Sequence, residues 1–201
     1  MKKVTKMAKL KDLLLSQPNI SDLDQMKISY ALELLRNESI KTVLYCAFFF
    51  AIGYLPALLL CMAISCTVRV FSGGIHMKTN VGCFGMGFIM LCGQILLLPS
   101  LPLSQLAYTT LLWISIAVIC FLSPIASYKR PFKTQKRYAL CKKWAILFSI
   151  AWGLALTFYF QPSQPQHCGI WYLVIQAIQL VCQSIYRYYK NTNPIGGQNH
   201  V

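Results

Sequence analysis

Charged residues are scarce in this chain. Of its 201 residues, 12% are charged and 56% are hydrophobic, whereas an average soluble domain is about 25% charged. A soluble protein of this length could bury a core, but its surface would need more charge than is available, so the composition points to lipid. The scarcity is also uneven. No charged side chain occurs in 42–68 (27 positions), 79–128 (50 positions) or 144–186 (43 positions). One membrane crossing takes about 20 helical residues. The second and third stretches can therefore each hold two spans and a turn, whereas the first can hold one and is short for two.

Carboxylates are rarer still. All five, Asp12, Asp22, Asp24, Glu33 and Glu38, lie in the first 38 positions, and the remaining 163 hold twelve Lys and Arg without an acidic side chain. The net charge of +14 is thus concentrated in segments beside the apolar runs. Basicity of this kind often marks nucleic-acid binding, but here it sits between apolar spans, which favours anionic lipid or an acidic peptide and leaves no role for nucleic acid. The nine cysteines include no CxxC pair and are odd in number. Neither a disulfide framework nor a tetrahedral zinc site is expected, and most of the thiols read as small apolar packing residues. The N-terminal MKKVTKMAKLKDLLLSQP has only a three-leucine run, where a secretory signal needs about 7 to 15 apolar residues, so it is expected to be retained.

The expected architecture is an all-α integral membrane protein, with an N-terminal amphipathic cytoplasmic region over 1–41 and a membrane domain over 42–201. In the first region Ser21 and Asp24 mark a helix start. Met26, Tyr30, Leu34 and Leu35 then recur at helical spacing, a face suited to packing on the rest of the protein or to lipid headgroups. The membrane domain begins with an apolar segment 42–68 and a polar loop 69–80. A first hairpin over 81–128 follows, with spans near 81–98 and 106–127 around LPSLPLSQ. Then come a basic loop 129–143, a second hairpin 144–187 with spans near 145–160 and 169–187 around QPSQPQHC, and a tail 188–201.

Two hairpins return the chain to its starting side, so 69–78, 129–143 and 187–201 are expected together, and their Lys and Arg make that side cytoplasmic. A single crossing by 42–68 would place the eight Lys and Arg of the N-terminal region outside. That segment is therefore expected to re-enter or to form a short hairpin bending near Gly53 or Pro56. Gln176, Gln179 and Gln183 share a face of the last span. Amides facing lipid are costly, so this face is expected to meet another helix or a second subunit. Trp144, Tyr159, Trp171, Tyr172, Tyr186, Tyr188 and Tyr189 cluster near span ends and read as interfacial anchors.

The stretch RVFSGGIHMKTNVGC, residues 69–83, sets Arg69, His76, Lys78 and Cys83 between two apolar segments. In a straight helix His76 and Cys83 would share a face but stand about 10.5 Å apart along the axis, beyond hydrogen-bond reach. They can act together only if the chain bends. Gly73 and Gly74 supply a flexible lead-in, and Asn80 as N-cap would make Cys83 the third residue of the next helix, near unbonded amides and the positive dipole end. A thiol there is placed to ionise, with His76 as general base, Arg69 and Lys78 adding positive potential, and the amides of 81–83 stabilising an oxyanion.

The ordinary reading stands beside this one: a juxtamembrane histidine is commonly a surface residue, and a cysteine in the first turn of a span is commonly packing. Spacing alone leaves both open. A metal pair is disfavoured because no second histidine or carboxylate lies nearby in the sequence. For the same reason a third member orienting His76 would be an amide, Asn80 or Gln94, or else Glu38 from the N-terminal region. A Cys–His dyad is the simplest form.

Arg69-x-x-x-Gly73-Gly74-x-His76, then six residues and Cys83, placed just before an apolar span in a basic membrane protein of this length, resembles the accessory gene regulator protein B family. These are membrane cysteine endopeptidases of Gram-positive quorum sensing. The resemblance extends over nearly the whole chain and includes SPIASYKRP, residues 123–131, which matches the family's proline-containing approach to its basic central loop. Met77 departs from the small residue often found after the histidine, a change expected to affect fit rather than chemistry.

The resemblance implies a multi-pass protein of a bacterial cell membrane with its catalytic pair on the cytoplasmic side. It also implies homodimerisation and a precursor signalling peptide carrying an amphipathic helix and an acidic tail. Cys83 and His76 would cleave off that tail through a thioester, from which a thiolactone or lactone closes without ATP or any cofactor. Lys129, Arg130, Lys133, Lys136 and Arg137 would receive the acidic tail. The reading from another class is a non-catalytic membrane component that binds or transports an amphipathic peptide.

Overall fold

A computed structural model describes residues 22–75, 79–125, 134–160 and 162–192. Among these residues all regular structure is helical apart from one isolated parallel bridge between Gly73 and Ile125. Five helices are long and apolar enough to cross a membrane, as expected of an all-α, multi-pass membrane protein. The chain divides into two compact units, Met1–Phe48 and Phe49–Val201.

The first helix, α1, runs unbroken over Asp22–Ala51. The boundary that charge suggested after residue 41 therefore falls inside a helix, because loss of charge does not stop one. On its polar part Lys27 pairs with Asp24 at 2.8 Å and Lys41 with Glu38 at 2.6 Å. Both are i,i+3 pairs with the acid toward the N-terminus, the order that suits the helix dipole. Met26, Tyr30 and Leu35 of the expected amphipathic face are exposed.

The larger unit takes in the end of α1, a turn at residues 52–54, and five helices: α2 (Leu55–Ser72), α3 (Asn80–Ser100), α4 (Gln105–Leu122), α5 (Gln135–Tyr159) and α6 (Gln164–Thr192). The expected bend in 42–68 is there. Gly53 has a φ of 79°, a left-handed conformation that glycine adopts without steric cost, and the Tyr54 amide donates to the Phe49 carbonyl at 2.8 Å. Pro56 is not the bend. It lies in the first turn of α2, where its missing N–H costs nothing. The arm after the bend is longer than a short hairpin implies: α2 has 18 residues, about 27 Å at 1.5 Å per residue, and it continues through Arg69 instead of ending at the last uncharged position.

Two other limits also moved. Helix α5 begins at Gln135 and so absorbs half of the expected basic loop, since Lys and Arg are good helix formers. Helix α4 stops at Leu122, short of the expected 127, because Pro124 disfavours helical conformation at Ser123. The Ser123–Pro124 peptide is cis.

The centre of this unit is α6, the most buried of the five, and α3 is the most exposed. Helix α6 packs on α4 and α2 and touches the far ends of α3 and α5. Gly169 makes this approach close, since a methyl group there would lie 3.0 to 3.2 Å from Leu156, Ile64 and Leu60. Small residues serve this purpose where helices cross in membranes. Cys61 and Cys168 are buried in the same layer, and Cys61 Sγ lies 3.7 Å from the Cys168 carbonyl oxygen. Tyr172, read from sequence as an anchor, is buried in this core as well, whereas Tyr159, Tyr186, Tyr188 and Tyr189 are exposed.

Gly153 holds the α4–α5 crossing: a side chain there would overlap Ile116 Cδ1 and press on Trp113. Gly153→Val is expected to cost about 1–3 kcal/mol through overpacking, lowering the thermal midpoint in detergent. Gly153→Ala should cost less, because the Ile116 methyl can rotate aside.

Candidate active site

The site is built where the end of α2 meets the end of α4. Between Arg69 and Ser72 the chain is still helical, but a π-helical turn over Ser65–Arg69 adds a residue to the local repeat and shifts the direction of the side chains after it. Such insertions recur at functional positions. Aromatic packing fixes this end of α2. Phe71 stacks on Phe148 with ring centroids 5.7 Å apart and lies 6.2 Å from Trp144, and Trp152 Nε1 donates to Thr67 Oγ1 at 2.8 Å. Trp144 is itself exposed, as an interfacial anchor would be.

At Gly73 the helix ends. Its φ is 84°, and a Cβ there would overlap the Ile125 carbonyl oxygen. The Ile125 amide in turn donates to the Ser72 carbonyl at 3.0 Å. Gly73 is therefore required for conformation and for close approach, and it is not the flexible lead-in that the sequence suggested. These contacts join the ends of α2 and α4, from which the two polar loops depart. Gly74 is tight as well: a Cβ would lie 3.3 Å from Arg69 Nε and 3.4 Å from Gln179 Oε1.

Arg69 folds back over this turn and donates to the Ile75 carbonyl at 3.1 Å. Its guanidinium also lies beside the Tyr172 hydroxyl. The cation is thus neutralised in part by a backbone dipole at the start of the polar loop. His76, Met77 and Lys78 lie outside the described residues, as do Lys129, Arg130 and Lys133.

Beyond them α3 begins, one residue earlier in its cap than expected. Thr79 is the N-cap, extended at φ −102° and ψ 149°. Its hydroxyl accepts from the Gly82 amide at 3.1 Å and its carbonyl from the Cys83 amide at 3.0 Å. Asn80 is therefore the first helical residue and Cys83 the fourth. Two of the three amides expected to form an oxyanion hole already have acceptors, and the dipole contribution at Cys83 is weaker because it fades within the first turn. The extended Thr79 does supply the break that a meeting of residues 76 and 83 requires.

Cys83 is half-buried. Met90, seven residues on, lies about 20° around the same face of α3, and its Sδ accepts from Gln179 Nε2 at 3.2 Å. The face of α3 that carries Cys83 thus also carries Met90, which meets α6. Gln94 is buried and stands eleven residues from Cys83, about 16 Å along the helix; His76, which it was expected to orient, lies outside the described residues. Glu38 is paired with Lys41 in the smaller unit.

The residues that sequence reasoning did not place here are Ser72, Ile125, Gln176 and Gln179. Gln176 is buried and its Nε2 donates to Ser72 Oγ at 2.9 Å and to the Gly73 carbonyl at 2.7 Å. The glutamine face was visible as a helical pattern, and it does meet other helices of the same chain. Its partner could not be read, because it lies about a hundred residues away. On α5, Lys136 and Arg137 are exposed. Next to them a shallow open groove is lined by Gln135, Tyr138, Ala139, Lys142, Lys143 and Ile146, which extends the basic surface by two lysines not singled out from sequence.

The sequence model described as Accessory gene regulator B matches residues 7–180. A curated AgrB-like protein of Clostridium beijerinckii is 26% identical over 163 residues, covering 81% of this chain and 79% of its own length. No solved structure matches the chain.

Proposed function

The chain belongs to the accessory gene regulator B family, and on that premise we propose that it is a cysteine endopeptidase that matures a quorum-sensing peptide. The family match over residues 7–180 carries this reading, because it spans the whole stretch from Arg69 to Cys83.

In the proposed reaction His76 takes the proton of the Cys83 thiol, and the sulfur attacks the peptide carbonyl that joins the future ring to the acidic tail. The C–N bond breaks, His76 returns the proton to the departing amine, and the tail leaves. The remaining peptide is held on Cys83 as a thioester. A side chain of the peptide, Cys or Ser, then attacks that thioester, closes the ring and restores the thiol. The thioester retains much of the acyl-transfer energy, so ring closure needs no nucleotide as long as water is kept out. Arg69 supports the thiolate through its charge. The Lys136–Lys143 surface suits the acidic tail on the same side.

The test uses a peptide with an amphipathic helix, an internal cysteine and an acidic tail, encoded beside the gene for this chain. Co-expression with a variant of that peptide whose ring-closing cysteine is alanine should trap the intermediate. Mass spectrometry is expected to find the tail-less peptide on the fragment containing Cys83, removable by neutral hydroxylamine. Tail release without this adduct would overturn the nucleophile assignment. Tight binding of an intact peptide would favour the non-catalytic reading.

A further inference from the structure

We propose that Gln176 is a positioning residue of the active site: from the middle of α6 it pins the Ser72–Gly73 turn and thereby sets where the segment leading to His76 begins. This role rests on the Cys83–His76 reading above and extends it to a residue 93 positions away from the nucleophile in the chain.

The glutamine amide has two N–H donors, and both are used on this turn, one on the Ser72 hydroxyl at 2.9 Å and one on the Gly73 carbonyl at 2.7 Å. Ser72 and Gln176 are both almost fully buried. A polar side chain in the interior of a membrane bundle loses its hydration, and an amide without partners there would cost several kcal/mol. A leucine would fill the same space without that cost. The glutamine therefore has a use that packing does not explain, and its contacts identify it: one is made to the last side chain of α2 and the other to a carbonyl at the helix end, where intrahelical partners run out.

Gln179, one turn further along, closes the other side. Its Oε1 packs over Gly74, and its Nε2 reaches Met90 on the Cys83 face of α3. One face of α6 thus touches both the chain leading to the histidine and the helix carrying the cysteine. Three residues span at most about 11 Å, so holding Gly73 limits how far from the turn His76 can lie, and Gln179 ties the same face of α6 to α3. No acidic side chain follows Glu38 in the chain, and the contacts of α6 hold instead the turn from which the histidine segment starts.

The experiment uses the full-length protein in lipid vesicles and iodoacetamide as probe. The alkylation rate of Cys83 is read by mass spectrometry between pH 5 and 9, because it follows the thiolate fraction. Wild type, His76→Ala, Gln176→Leu and Ser72→Ala are compared after confirming insertion and thermal midpoint. Gln176→Leu is expected to shift the profile toward that of His76→Ala and to cut the pH 7 rate at least threefold. It should lower kcat for tail release at least tenfold with KM within about twofold. Ser72→Ala, which removes one of the two bonds with little change in volume, should give a smaller shift in the same direction. It also serves as the deciding variant if Gln176→Leu does not insert.

A wild-type profile and kcat in an inserted Gln176→Leu protein, or in Ser72→Ala where it is the deciding variant, would overturn the positioning role while His76→Ala still shifts the profile. If His76→Ala leaves the profile unchanged, the dyad itself is overturned, and this role with it.

Discussion

Alanine at position 83 is expected to reduce tail release to background, a loss of at least about 10³-fold, because no covalent intermediate can form without the sulfur. His76→Ala should lose about 10²–10⁴-fold, the range associated with removing a general base. The two losses should not add, since both residues serve the same proton transfer and bond formation. Measured by appearance of the free tail, with insertion checked for each variant, the double variant should therefore lose no more than Cys83→Ala alone. Cys61 and Cys168 are poor substitutes, being buried in the helix layer. Tail release by Cys83→Ala at more than a few per cent of the wild-type rate would require another nucleophile and sink the assignment.

Gly73→Ala should also be damaging, for a reason unrelated to chemistry. A β-carbon at this position meets two penalties together. The φ of 84° is strained for any L residue, at about 1–3 kcal/mol, and the Ile125 carbonyl oxygen occupies the space the methyl needs. Relief requires the turn to move, which breaks the Ile125 amide bond to Ser72 and withdraws the Gly73 carbonyl from Gln176. The expected result is a fall in activity of at least tenfold together with a lower thermal midpoint. Gly74→Ala is the control. Its methyl would press only on Arg69 and Gln179 side chains, which can yield, so its loss should be severalfold smaller. Equal effects at the two glycines would mean that the bridge to Ile125 does not hold the turn.

The difference between these glycines shows how far local reading reaches. Side by side in the sequence, Gly73 and Gly74 look equivalent and suggest flexibility. In the fold one is a rigid left-handed turn under a carbonyl, and the other is a surface for an arginine and a glutamine. The helix cap behaved similarly. Thr79 and Asn80 are both good capping residues, and nothing local chooses between them; in the fold Thr79 is extended and its hydroxyl makes the cap bond.

What the sequence determined by itself was the membrane class, the number and rough place of the four later spans, a bend near Gly53 or Pro56, and the stretch 69–83 as the place to look. These follow from hydropathy, charge and turn chemistry, which are properties of neighbouring residues and survive in any fold built from them. The tertiary structure alone decided that α6 is the centre of the bundle, that α2 is a full-length helix carrying Arg69 to its end, and that Gln176 holds the turn at Gly73. Those outcomes depend on which buried polar groups find one another in a medium that offers no water. For Gln176 that partner lies 103 residues away, where no periodicity or spacing could point to it.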